Sequence, residues 1–162
     1  VVLCGAYGFE QMAAHRPWRV LAEQLAASGC PTVRFDYPGE GDSADPETGG
    51  VEACIAAIRQ AIRFLRETAG VAEVVLVGLR PGAASAALAA EAEPVNRLVL
   101  LAPVATGRAY LRAMRLRAQT IGRLPDGSAA PAEPESLLVG GFRMDAAFQV
   151  ELSALNLARI AT

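Results

Sequence analysis

The sequence predicts an α/β fold, a mostly parallel sheet with helices on both faces, followed by a helical, cap-like segment. Three observations carry this. Short β-branched runs alternate with longer stretches of helical apolar spacing in the order βαβαβαβ, and strands joined through helices run parallel. Residues 74–77 read Val-Val-Leu-Val with no polar alternation, as a strand buried on both faces must. Glycine-bearing turns punctuate the strand ends, where the chain has to reverse.

Each element has its own signal. Residues 1–4 are an apolar run closed by Gly5, a buried strand. Residues 17–28 place Trp18, Leu21, Ala22 and Leu25 at helical spacing, with Pro17 suited to the first turn and Gly29 as the stop. Residues 32–35 are a second strand, and residues 36–43 (Asp-Tyr-Pro-Gly-Glu-Gly-Asp-Ser) are loop chemistry. Residues 51–68 form a long helix with Ile55, Ile58, Ile62 and Leu65 inward and Arg59, Arg63 and Arg66 outward. After the central strand come an alanine-rich helix over 81–92 and a fourth strand over 98–101.

Past Pro103 the character changes. Residues 110–121 read as an amphipathic helix, accompanied by Arg108, Arg112, Arg115 and Arg117. Those arginines are either a solvated face or a surface for a partner or an anionic substrate. A polar, proline-rich loop follows over 124–134, and residues 136–140 fit a short strand or one arm of a hairpin. Residues 145–160 read as a last helix, with Ala146, Phe148, Val150, Leu152, Leu155 and Leu157 as its apolar positions. The expected division is an incomplete core over residues 1–105 and a dependent cap-like segment over 106–162.

Composition narrows the chemistry. A chain of 162 residues supports one real core. The formal charge of −2 argues against a nucleic-acid partner. No apolar run approaches the roughly 20 residues of a membrane-spanning helix. All 15 basic residues are arginine, so a phosphate-loop lysine, a Schiff-base lysine and a lysine general base are excluded. Three cysteines, Cys4, Cys30 and Cys54, lack C-x-x-C spacing, and His15 is the one histidine, so neither a zinc site nor any cofactor is expected. The odd cysteine count and the absence of a secretion signal predict a cytoplasmic setting. The chain opens directly on a strand without a start methionine, which reads as a fragment of a longer protein.

In an open parallel sheet, ligands bind beyond the carboxyl ends of the strands. Four turns occupy that edge, at residues 5–9, 36–43, 78–82 and 102–106. Three resemble the α/β-hydrolase superfamily. Cys4-Gly5-Ala6-Tyr7-Gly8-Phe9 stands where that family has its oxyanion loop. Phe35-Asp36-Tyr37-Pro38-Gly39-Glu40-Gly41-Asp42-Ser43 is similar to its Asp-x-x-Gly-x-Gly-x-Ser loop and is the most specific match. Gly78-Leu79-Arg80-Pro81-Gly82 falls on the nucleophile elbow, Gly-x-Ser-x-Gly in active members. Within the superfamily, Gly78-Leu79-Arg80-x-Gly82-Ala83 and the Gly140–Met144 stretch resemble the exosortase-associated hydrolases. The resemblance implies action on an ester, thioester or amide, with a small acyl or anionic molecule as ligand.

The residues at the elbow oppose that activity. Arg80 replaces the serine, and a guanidinium stays protonated and offers no free lone pair. Pro81 lacks the backbone N–H that the family uses as an oxyanion donor. Losing one such donor costs a serine hydrolase about 3 kcal/mol of transition-state stabilisation. In the family the acid and the histidine follow the serine in chain order, whereas His15 precedes Arg80. A non-catalytic member, a pseudoenzyme that binds a small anion or a protein partner, is therefore the competing expectation.

Arg80, Ala6 and Tyr7 are the candidate substrate- or anion-binding residues, because an arginine at a helix N-terminus suits a carboxylate or phosphate. Alternatively, Arg80 pairs with a nearby acid, such as Asp36 or Asp42 or one beyond residue 162. Cys4 and Ser85 are weak nucleophile candidates that read better as core packing, and Ser43 as a loop hydrogen bonder. Asp36 and Asp42 are expected to hold their own turn through backbone N–H groups, and His15 to be a surface or loop-packing residue rather than a base. A sheet left with an open edge would favour a homo-oligomer.

Overall fold

A computed structural model describes residues 1–45, 49–121 and 136–160. The predicted loop over 124–134 lies outside those residues. Four parallel strands, β1 (Val2–Cys4), β2 (Val33–Arg34), β3 (Val75–Leu79) and β4 (Arg97–Leu101), lie in the order β2-β1-β3-β4. Between them run α1 (Gly8–Ala27), α2 (Val51–Ala69) and α3 (Pro81–Ala92). Two apolar clusters show that both faces are covered. Leu3 and Val77 meet Trp18, Leu21 and Leu25 of α1 on one face. Val2, Cys4 and Leu76 meet Ile58, Ile62 and Ala86 of α2 and α3 on the other. Alternation along β1 and β3 produces this split, because successive side chains of a strand point to opposite faces.

The predicted inward stripe of α2, Ile55, Ile58, Ile62 and Leu65, is buried. Its arginines Arg59, Arg63 and Arg66 converge on one carboxylate, Glu93 just past α3, with the shortest ion pair, Arg63 to Glu93, at 2.5 Å. Glycine closes α2 at Gly70, where the backbone turns left-handed.

Three sequence expectations need correction. The first helix begins at Gly8, so Pro17 lies inside it rather than in its first turn. Pro17 is exposed, and its missing N–H leaves one carbonyl of α1 without its helical donor. The second strand contributes just two residues to the ladder, pairing Val33 with Val2 and Arg34 with Leu3. The last helix is broken into α5 (Ala146–Ala154) and α6 (Leu157–Ile160), after α4 (Gly107–Ile121). At the break Leu155 turns extended, and its carbonyl takes the Gly107 N–H (2.9 Å) while the Leu157 N–H reaches the Ala105 carbonyl (3.0 Å). Those backbone groups after β4 needed partners, and the helix gives way to supply them.

Residues 136–140 do form a hairpin arm. β5 (Leu137–Val139) pairs antiparallel with β6 (Phe142–Met144) through Gly140 and Gly141, both at positive φ. Tyr110, Leu111, Met114, Val139, Met144 and Leu152 belong to the same buried cluster as the sheet residues Val2 and Leu76. The segment after residue 106 thus completes the main core. Among the described residues β4 forms the sheet's edge, with Leu98, Val99 and Leu101 each more than a third exposed. No helix among the described residues is long and apolar enough to cross a membrane.

Candidate functional site

The elbow between β3 and α3 retains the shape that its glycines promised. Arg80 sits at φ 56°, ψ −125°, a conformation that costs a non-glycine residue about 1–3 kcal/mol. Packing holds it there. A Cβ on Gly82 would lie 1.8 Å from the Gly5 carbonyl oxygen, and one on Gly78 would lie 2.5 Å from the Ala83 Cα. Only glycine lets the elbow dock against the loop after β1 and let α3 leave so sharply. Pro81 fills the first helical position, where no N–H is required. The Arg80 N–H donates to the Leu101 carbonyl at the end of β4 (3.0 Å).

The Arg80 side chain is not free. Its Nε donates to both carboxylate oxygens of Glu10 (3.2 and 3.4 Å), and Nη2 donates to Glu10 Oε1 (3.0 Å). Nη1 reaches the carbonyl of Ala102 at 3.5 Å, and the guanidinium lies 5.8 Å from the centre of the Tyr110 ring. Ala102, with φ 44°, is the other described non-glycine residue at positive φ. The internal pairing expected with Asp36 or Asp42 is therefore made with Glu10 of the first turn of α1. Asp36 instead lies beneath Gly41, where a Cβ would come within 2.4 Å of its carboxylate oxygen, and its backbone carbonyl accepts the Ser43 hydroxyl (2.8 Å). Buried Tyr110 has its phenol pushed up, first by burial and next by the charge of Glu10.

The other candidates fall into place around this joint. Ala6 and Tyr7 are buried in the loop after β1. The Tyr7 hydroxyl forms a short hydrogen bond with Ser85, which ties that loop to the second turn of α3. Ser85 is wholly buried. Cys4 is also wholly buried, and burial pushes its thiol upward. Tyr37, equally buried, donates its hydroxyl to the Gly5 carbonyl (3.2 Å). His15 is exposed on α1.

Arg80 does not line the cavity beyond Tyr7. A space of about 620 Å³ lies beyond Tyr7, walled by the loop after β2, the start of α2, the hairpin and α5. Glu40 stands in its wall and accepts the Gly8 N–H through Oε1 (2.6 Å). Burial raises its carboxyl to about 7, against the lowering effect of the Gly8 bond, and Asp36 adds to the rise. Cys54 on the same wall is raised to about 12, by burial first and by Glu40 second. Sequence reading singled out neither Glu10 nor Glu40. Glu10 lies 70 residues from Arg80, and no local pattern pairs them. Glu40 had a weak signal, an acid between two glycines in a strand-end loop.

The family model described as the alpha/beta hydrolase fold matches residues 1–157. Comparison with curated proteins finds no match.

Proposed function

On the premise that this chain belongs to the alpha/beta hydrolase family, we propose that it is a binding member that does not carry out serine-hydrolase turnover. One observation carries the reading: the nucleophile position holds Arg80 locked onto Glu10, and Pro81 follows it. The guanidinium stays protonated and cannot attack a carbonyl. Pro81 removes the oxyanion donor that should follow. The elbow survives as a structural joint between the loop after β1 and α3.

The reading implied by resemblance alone is hydrolysis of an ester, thioester or amide, and the likeness of the Gly78–Ala83 and Gly140–Met144 stretches to the exosortase-associated hydrolases favours it. A fluorophosphonate probe with a short-chain ester assay separates the two. Binding alone predicts no labelled serine and no turnover above buffer, and the same silence for Arg80→Ser, because Pro81 remains. Labelling of any serine in the native chain would defeat the proposal.

A small anion at Arg80 is the second reading, favoured by a side chain about 35% exposed at a helix N-terminus. The anion would share the guanidinium with Glu10, so affinity is expected to be weak. Titration with phosphate and acetate decides: binding that disappears in Arg80→Ala supports an anion site, and equal binding by both proteins rejects it.

A further inference from the structure

Charge is spread unevenly along this chain. Aspartate and glutamate outnumber arginine overall, 17 to 15, yet between Glu93 and Asp126 the sequence holds six arginines and no acid. Four of the six, Arg108, Arg112, Arg115 and Arg117, lie on α4, and all four are exposed. Arginines on other helices meet carboxylates: Arg63 and Arg66 of α2 meet Glu93, and Arg19 of α1 meets Glu23. On α4 no arginine makes an ion pair among the described residues. Arg115 donates instead to the neutral amide oxygen of Gln149 on α5 (3.3 Å). Like charges one turn apart, as at Arg108 and Arg112 and at Arg112 and Arg115, repel and weaken the helix that carries them. An anionic surface outside the chain would relieve that repulsion.

The shape of the face says which surface. α4 buries Gly107, Tyr110, Leu111 and Met114 against the core. With 3.6 residues per turn, the opposite side is centred on Leu116, which is 61% exposed. Arg112 and Arg108 precede it by one and two turns on one flank, and Arg117 stands on the other. Ala109 and Ala113, both exposed, are too short to cover it. A large apolar side chain thus stands out between guanidinium groups. An acidic protein surface would satisfy the arginines and leave the leucine facing carboxylates. An anionic bilayer answers both, because its phosphates lie directly above apolar chains. Arginine suits that boundary, since its fork matches phosphate while its stem packs on apolar surface.

We propose that the outer face of α4 docks on an anionic phospholipid surface, with Arg108, Arg112, Arg115 and Arg117 on the phosphates and Leu116 entering the interface. The attachment is peripheral, because α4 keeps its other side in the core through Tyr110, Leu111 and Met114. Each arginine near such a surface adds an attraction that salt screens, whereas the leucine adds one that salt leaves in place. The face excludes Tyr110, the α4 residue that meets the Arg80 guanidinium, so vesicle binding and serine labelling at the elbow fail independently.

Co-sedimentation of the 162-residue chain with vesicles tests the proposal, using phosphatidylcholine alone and phosphatidylcholine with one third phosphatidylglycerol. The chain is expected to partition at least tenfold more strongly onto the anionic vesicles at low salt, and to lose that preference as salt rises to about 0.5 M. Arg108→Gln with Arg112→Gln is expected to weaken partitioning roughly 25-fold, about fivefold for each arginine. Arg16→Gln with Arg19→Gln makes the same charge change at exposed positions of α1 and is expected to leave partitioning nearly unchanged. Leu116→Asn is expected to weaken it several-fold without altering its salt dependence. All these positions are exposed, and circular dichroism checks that each variant folds. Equal partitioning onto the two vesicles, no partitioning by folded protein, or an α1 pair that weakens it as much as the α4 pair would each overturn the proposal. So would an unchanged Leu116→Asn, which would leave an electrostatic contact that an acidic protein could make equally well.

Discussion

At the scale of single residues, Arg80 and Glu10 form a coupled unit. The Glu10 side chain is only 10% exposed, so it relies on the guanidinium for its hydrogen bonds as well as for its charge balance. Removing Arg80 alone is expected to cost about 1–3 kcal/mol of stability, because it leaves a nearly buried carboxylate without its donors. Adding Glu10→Gln to Arg80→Ala should recover a good part of that loss. A double-mutant cycle by urea denaturation measures this, and additive effects of the two substitutions would show that the contact contributes nothing. The Arg80 backbone adds its own requirement. Its positive φ is imposed by the close docking of Gly82 on the Gly5 carbonyl and of Gly78 on Ala83, so strain at the elbow is held by packing two residues away on either side.

At the scale of elements, close approach decides how the segment after β4 joins the core. A Cβ on Gly107 would fall 1.6 Å from the carbonyl oxygen of Leu152, so α4 and α5 touch backbone to backbone. Gly107→Ala is expected to destabilise by about 3 kcal/mol or more, since neither backbone can yield without repacking. Gly70 is the contrasting case. It has φ +60° and open space where a Cβ would go, so Gly70→Ala is expected to cost only about 1–2 kcal/mol of conformational strain. Denaturation midpoints of the two variants compare packing with backbone strain directly. A Gly107 variant as stable as the parent would mean that α4 and α5 do not dock as described. The break between α5 and α6 belongs to this scale too. Apolar spacing over residues 145–160 supports one continuous helix, and nothing local announces that Leu155 must turn extended to serve Gly107.

At the scale of the whole molecule, Glu40 links the loop after β2 to the loop after β1 through the Gly8 N–H, and this link responds to pH. Its carboxyl is raised from 4.5 to about 7 in the fold, so the folded state holds a proton that the unfolded chain releases at lower pH. Its contribution therefore favours the fold at acid pH, declines as pH rises from about 4.5 through 7, and is lost above that range. A shift of this size corresponds to roughly 3 kcal/mol across the window. Glu40→Gln should flatten the fall in stability between pH 5 and pH 8, read as the difference in urea midpoints. An unchanged pH profile in the variant would remove Glu40 from this role.

Much of the architecture is local enough to be legible in one chain. The unbroken apolar run at 74–77, the inward stripe of α2 and the Pro81 start of α3 each encode an element through patterns a few residues long. The elbow is legible for the same reason, since Gly78, Arg80, Pro81 and Gly82 state a sharp turn with an arginine at its tip within five positions. The partner of Arg80, the proton held by Glu40 and the break after α5 belong to the tertiary structure. Each depends on groups brought together from distant parts of the chain, Arg80 with Glu10, Glu40 with the elements that bury it, and Leu155 with Gly107. Periodicity and turn chemistry report what a residue does to its own backbone, whereas charge pairing and desolvation depend on which remote groups the packed core sets beside it.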